Sequence, residues 1–91
     1  MKFNIGKLYM TAAIAEALKD NTQFSIEIHA ALYRYSNCDW GDMSGEDKRS
    51  NDSALKDDDR IFAAYKTSKG KIWIITEADR SCTTILFPSD Y

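Results

Sequence analysis

The sequence predicts an α+β fold, in which an N-terminal strand and about three helices pack on a C-terminal three-stranded antiparallel β-meander. Capped, helix-forming segments fill most of the first 59 residues, whereas apolar runs with short polar links follow from Arg60 onward. The chain has 91 residues, of which 44% are apolar and 29% charged. This composition suits one domain over residues 1–91, with a core that needs neither disulfide nor metal.

The chain begins with a short strand followed by a helix. Residues 5–10 form an apolar segment that favours a strand. Thr11 can then cap a helix over residues 11–19, where alanine is frequent and Ile14 and Leu18 form an apolar pair one turn apart.

The next segment, TQFSIEIHAALYRYSN from residue 22, fits two patterns. Apolar residues alternate as in a strand at Phe24, Ile26, Ile28 and Ala30, and they also follow a helical stripe at Phe24, Ile28, Ala31, Leu32 and Tyr35. The stripe runs longer and Thr22 is a good cap, so a helix is predicted. His29 lies beside the stripe, where a packed or half-exposed histidine is favoured over a catalytic one because no acid or nucleophile can be placed next to it.

A polar segment then combines turn and capping residues. Gly41 and the aspartate after it suit a turn following Trp40. Ser44, with Asp47 three residues later, resembles a helix N-cap and predicts a third helix over residues 45–56, which the three consecutive aspartates 57–59 end. Those carboxylates suit a hard cation, but their spacing matches no calcium loop and lacks its distal glutamate, so no metal or cofactor is expected.

The strand pattern begins at Arg60. The segments RIFAAYKT, KIWIITE and CTTILF predict three strands, and the link SKG predicts a hairpin with Gly70 at a positive-φ position. The second link is also short, so the strands should form a meander that Pro88 ends. Trp73, in the middle strand, is expected to be largely buried.

Charge is unevenly distributed along the chain. Residues 39–59 carry eight acidic and three basic side chains, whereas the whole chain has a net charge of −2. This acidic segment either meets a basic partner surface or is a solvated helix and loop. Direct nucleic-acid binding is not expected, because it favours a basic face.

Cysteine and hydropathy patterns indicate the compartment. Cys38 and Cys82 lack CxxC spacing and, with the single His29, complete no metal site, so free thiols in a reducing cytoplasm are expected. No apolar stretch approaches the ~20 residues that cross a bilayer, so a soluble, cytoplasmic protein is expected.

The segment TEADRSCTT, residues 76–84, concentrates polar groups at the second link of the meander. In an internal reading, Asp79 accepts N–H bonds of the turn, Arg80 pairs with Glu77 or Asp42, and the threonines are ordinary strand residues. In a recognition reading, Arg80 binds a carboxylate or phosphate while nearby hydroxyls orient it. A hydrolase, with Glu77 or Asp79 as general base, is disfavoured because no nucleophile or cofactor motif accompanies it.

Several of these motifs carry a resemblance to a known group of proteins. The stretches WGD, NDSAL and RIFAAY, followed by IITEADRSCTTILFPSDY, resemble a family of short proteins encoded on bacterial phages, plasmids and conjugative elements. The family has a glycine-containing turn where this chain has DDD at residues 57–59. The resemblance implies a mobile-element accessory protein, and it brings no catalytic residue with it.

Together these features predict a non-enzymatic inhibitor of a host defence system, such as a CRISPR effector, which binds a host protein or ribonucleoprotein complex. The alternative is a small-molecule or nucleotide binder that uses the EADRS turn as a signal sponge or sensor. The candidate binding residues are Trp40, Asp42, Asp47, Asp57, Asp58, Asp59, Glu77, Asp79, Arg80, Ser81 and Thr83.

Overall fold

The computed structural model describes residues 2–91, and the predicted α+β class is confirmed. The elements in chain order are β1 (Lys7–Met10), α1 (Ala12–Leu18), α2 (Thr22–Ser36), α3 (Gly45–Asp57), β2 (Ile61–Thr67), β3 (Gly70–Thr76), β4 (Cys82–Leu86) and a 3₁₀ turn (Pro88–Asp90). The four strands form one sheet with the order β1-β4-β3-β2.

The C-terminal strands form the predicted meander. β2 pairs antiparallel with β3, and β3 pairs antiparallel with β4. The hairpin between β2 and β3 turns at Gly70, whose φ of 97° is the positive value that the sequence predicted. β4 ends at Leu86, two residues before Pro88, which has no N–H to continue a ladder.

The sheet differs from the prediction at its other side. A sheet of three antiparallel strands was expected, but β1 adds a fourth strand that runs parallel to β4, so the sheet is mixed. Without β1, the second edge of β4 would present unpaired N–H and C=O groups. The N–H groups of Lys7 and Thr11 bond there to the carbonyls of Ser81 and Ile85.

Side-chain caps begin the three helices. The hydroxyls of Thr11 and Ser44 accept the N–H groups of Ile14 and Asp47, as the sequence predicted. The predicted cap at Thr22 is wrong, because Thr22 is the first residue of α2 and Asn21 is its N-cap. The side chain of Asn21 accepts the N–H of Phe24 at 2.9 Å.

The main core lies between the helices and one face of the sheet. Its buried side chains come from all three helices, from the segment before α3 and from β2, β3 and β4; they are Ile14, Phe24, Ile28, Ala31, Tyr35, Trp40, Ala54, Ile61, Ala63, Tyr65, Ile72, Ile74 and Ile85. Residues that alternate with these along the strands point to the opposite face.

Trp73 lies on that opposite face, and the expectation that it is largely buried is wrong. Its neighbours Ile72 and Ile74 point into the main core, so strand alternation turns Trp73 away from the helices. Its ring packs edge-on against Phe62 at 4.7 Å and Tyr91 at 5.6 Å between centroids, which leaves it half-buried.

The two edges of the sheet differ in whether other residues cover them. At the β2 edge, the buried Asn51 side chain accepts the N–H of Phe62 at 3.1 Å and donates to its C=O at 2.7 Å. The N–H of Asp42 donates to the C=O of Ala64 at 2.7 Å. The preceding residue, Gly41, lies so close to β2 that a Cβ atom there would clash with the Ala64 carbonyl. At the β1 edge, all four residues are exposed.

Candidate functional site

The turn between β3 and β4 is organised around the guanidinium of Arg80. Its Nη1 donates to the carbonyl of Asp59 at 2.7 Å and to those of Glu77 and Ala78 at 3.2 Å each. Its Nη2 donates to the carbonyl of Ala54, in the last turn of α3, at 3.0 Å. The side chain therefore ties the C-terminal end of α3 to the β3–β4 turn, and its Nη donors are used within the chain.

The carboxylates of this turn are engaged separately. The Asp79 side chain accepts the N–H of Ser81 at 2.9 Å, and hydrogen bonds from the Ser81 side chain and backbone hold the pKa of Asp79 below its usual value. The Glu77 carboxylate lies 3.6 Å from Arg60 and forms no ion pair with Arg80. The internal arrangement predicted for Asp79 is present, whereas Arg80 bonds to backbone carbonyl oxygens instead of to the carboxylate of Glu77 or Asp42.

Thr83 belongs to a buried chain of hydroxyl groups that the sequence pattern did not indicate. Thr76 and Thr83 share a hydrogen bond of 2.7 Å, Tyr35 bonds to Thr76 at 2.6 Å, and Thr83 donates to the carbonyl of Ile5 at 2.7 Å. Burial raises the pKa of the Tyr35 hydroxyl, so it stays neutral. This chain joins α2 to the sheet and to the segment before β1.

The candidate residues before α3 are also held within the fold. Trp40 is buried, and its indole N–H donates to Asp52 at 3.0 Å. Asp42 lies 3.2 Å from the ammonium of Lys71, and this hydrogen bond, with Lys66 nearby, lowers the pKa of the Asp42 carboxyl. The structure therefore does not bring Trp40 and Asp42 together with Arg80 as one open site.

Five acidic side chains have a different environment. They are exposed, and within residues 2–91 none of them forms a side-chain hydrogen bond or ion pair; they are Glu46, Asp47, Asp57, Asp58 and Asp59. Glu46 and Asp47 begin α3, and the three aspartates end it. Asp58 adopts a left-handed conformation with φ 53° at the C-cap, the position that glycine usually occupies.

The spacing of these acids places two of them on one side of α3. Glu46 and Asp57 are eleven residues apart, about three helical turns, so they project from the same side of α3 about 16 Å apart along its axis. Ser50 and Ser53 lie between them along that side. Asp47 and the three aspartates 57–59 were predicted from the sequence as binding residues, whereas Glu46 was not, although its eleven-residue spacing from Asp57 would have indicated it.

A shallow cleft borders this side of α3. Its volume is about 500 Å³, and it is lined by Glu46, Arg49, Ser50, Ser53, Ala54, Asp59 and Arg60. Both signs of charge line it, so the cleft itself is not uniformly acidic. Of the five exposed acids, Glu46 and Asp59 line the cleft, and neither forms an ion pair within residues 2–91.

Within residues 2–91, the single histidine and the two cysteines form no metal-binding cluster. His29 is exposed, and its Nδ1 lies 2.8 Å from the carbonyl of Ser25 in the same helix. Cys38 and Cys82 are free, and burial raises the pKa of the Cys38 thiol. Within residues 2–91, no group of three or more His, Cys, Asp or Glu side chains is arranged to hold a metal ion.

Comparisons of the chain with protein-family models, curated proteins and solved structures find no match. Across residues 2–91, every helix is too short or too polar to cross a membrane.

Proposed function

We propose that this chain acts by binding and not by chemistry, as a cytoplasmic inhibitor of a host defence complex that handles nucleic acid. The observation that carries the proposal is the set of five exposed carboxylates at the two ends of α3, which have no internal partner within residues 2–91. Their partner lies outside the chain or is solvent.

The chemistry of these carboxylates indicates the class of partner. RNA-guided effectors hold their heteroduplex in a positively charged channel and recognise its backbone, not its sequence. Carboxylates at the two ends of α3 present negative charge to the same lysine and arginine side chains. Such a surface competes for the channel by charge, and it gains association rate from electrostatic steering.

Two further observations support binding over catalysis. The resemblance to small proteins of phages and plasmids supplies a setting in which inhibitors of host defence are common. The polar turn that was the candidate for a ligand or reaction site has the Nη donors of Arg80 bound to backbone carbonyls. Of the five N–H groups of the guanidinium, these bonds leave only Nε–H and one N–H of Nη2 for a nucleotide phosphate.

The test begins with capture of a partner. Tagged protein is co-purified from bacteria that express RNA-guided effectors, and the captured complex is then assayed for target cleavage with the purified chain added. We expect one effector to be captured and its cleavage inhibited. Failure of every effector to be captured or inhibited would contradict the proposal.

A matched pair of variants tests the role of charge. D57N/D58N removes two charges at the end of α3, one of them from a residue at positive φ. E16Q/D20N removes two charges at the end of α1 and includes Asp20, which also has positive φ. We expect only D57N/D58N to slow association and weaken its salt dependence. Equal effects of the two variants would contradict a role for the α3 acids.

A further inference from the structure

The β1 edge of the sheet carries unpaired backbone groups. The N–H groups of Lys7 and Thr11 donate to carbonyls on the β4 side at 3.1 Å each. Backbone direction alternates along a strand, so the N–H and C=O of Leu8 and Met10 point away from the sheet. β1 is the last strand on this side, and nothing within residues 2–91 pairs with its outer edge.

Three of the four exposed side chains of this edge are apolar, and the fourth is Lys7. Leu8, Tyr9 and Met10 keep 44%, 52% and 42% of their surface accessible. An apolar cavity of about 270 Å³ adjoins Leu8 and is lined also by Ile5, Leu32, Tyr33, Tyr35 and Ser36. Edge strands that avoid pairing usually carry charge, proline or a covering segment. The β2 edge has such a cover in Asn51, whereas the β1 edge has one charged residue, Lys7, and no covering segment within residues 2–91.

We infer that β1 pairs antiparallel with β1 of a second copy of this chain, about a twofold axis at Tyr9, so that two sheets become one sheet of eight strands. This inference concerns a surface separate from α3 and does not depend on the proposed function. Leu8 of each copy lies opposite Met10 of the other. The two residue pairs exchange four N–H···O bonds across the axis.

The backbone permits only this antiparallel register. An axis at Leu8 would pair Met10 with residue 6 of the other copy, but Gly6 has φ 62° and lies outside the strand. An axis at Met10 would pair Leu8 with residue 12, which is the first residue of α1. An axis at Tyr9 uses only residues of β1, and their outward groups face each other.

Charge complementarity favours a second copy over an unrelated strand. The register places Lys7 opposite Thr11 of the other copy, on the sheet face that also carries Tyr9. The Thr11 hydroxyl donates to the Asp90 carboxylate at 2.8 Å, so an acidic group stands at that position. Lys7 has no acidic partner within residues 2–91. Twofold symmetry brings each Lys7 towards Asp90 of the other copy.

The experiment measures oligomeric state by sedimentation velocity over a range of chain concentrations. We expect a reversible dimer. M10P removes the outward N–H of Met10 without removing a bond to β4, because that N–H faces away from the sheet. Two of the four intermolecular bonds are lost, so the dimer dissociation constant should rise about tenfold or more.

The control is K66P, which alters the opposite edge of the sheet. By alternation with Phe62 and Ala64, the N–H of Lys66 also points outward, so K66P should leave dimerisation unchanged. K7E places a carboxylate opposite Asp90 and should therefore weaken the dimer. Because Lys7 is exposed, the K7E variant should still fold, so it tests the inference even if M10P does not fold. A chain that is monomeric at all concentrations, or a dimer that neither M10P nor K7E weakens, would overturn the inference.

Discussion

Replacement of Arg80 by alanine distinguishes a structural clamp from a ligand contact. The side chain donates to the carbonyls of Ala54, Asp59, Glu77 and Ala78, and so joins the end of α3 to the β3–β4 turn. These bonds join segments within the chain, so their loss should appear first in the free energy of unfolding.

The magnitude follows from the exposure of the four bonds. The bonds to Ala54 and Glu77 are partly buried, and those to Asp59 and Ala78 are exposed. With about 1 kcal/mol for each partly buried bond and about 0.5 kcal/mol for each exposed bond, R80A should lower the free energy of unfolding by about 3 kcal/mol. Arg80 also has φ 61°, a conformation that costs about 1 kcal/mol for a residue with a Cβ. R80G should therefore be about 1 kcal/mol more stable than R80A.

Urea denaturation of R80A, R80G and R80K measures these differences. R80K keeps the charge but not the planar fork, so we expect it to lose most of the same stability. K69A, at an exposed lysine in the hairpin, is the control and should unfold like the parent chain. A loss below about 1 kcal/mol in R80A would refute the structural assignment. Unchanged stability with lost binding to a captured partner would identify Arg80 as a ligand contact.

Three other substitutions or conditions test the fold. N51A should lower the free energy of unfolding by about 2 to 3 kcal/mol in urea denaturation, because the N–H and C=O of Phe62 lose their partner; a change below about 0.5 kcal/mol would argue against this edge cover. The folded-state pKa of Asp39 is lowered by hydrogen bonding to Arg34, so its stabilising contribution is complete above the unfolded pKa and disappears as pH falls through the folded value. Urea denaturation across acidic pH should show that loss beginning below about pH 4, and the D39N variant should lose less. W73A should cost about 2 kcal/mol, less than the ~3–5 kcal/mol of a fully buried aromatic residue, and a loss above that range would place Trp73 in a tighter environment.

Local signals in the sequence predicted most of the elements. Ser44 predicted the start of α3 because its hydroxyl accepts an N–H only three residues away. Gly70 predicted the hairpin because a positive φ is required at that point of the turn. The meander was predictable because strands joined by a short link usually pair with each other. In each case the interacting groups are close in sequence.

Features that join distant segments were not predictable in the same way. β1 pairs with β4 across more than 70 residues, and the sequence of such a short strand does not indicate which strand it pairs with. The hydroxyl chain links Tyr35, Thr76 and Thr83 from three elements, whereas threonine in a strand is ordinary without that context. The burial of Trp73 was mispredicted because residues 72–75 are all apolar, so the sequence shows no alternation between a buried and an exposed face. Both faces of β3 are covered, one by helices and the other by aromatic rings.

The end of α3 contains several residues that are unfavourable for helix termination. Carboxylates stabilise the start of a helix but oppose the dipole at its end, where Asp57 lies. Asp58 occupies a left-handed position that glycine adopts without a Cβ penalty. Three adjacent like charges also repel one another. Local rules are most often broken where a segment serves a purpose other than folding. These carboxylates have no compensating partner within residues 2–91, so the folded chain itself gives no reason for acidity at residues 57 and 58, and the external basic partner proposed above would supply one.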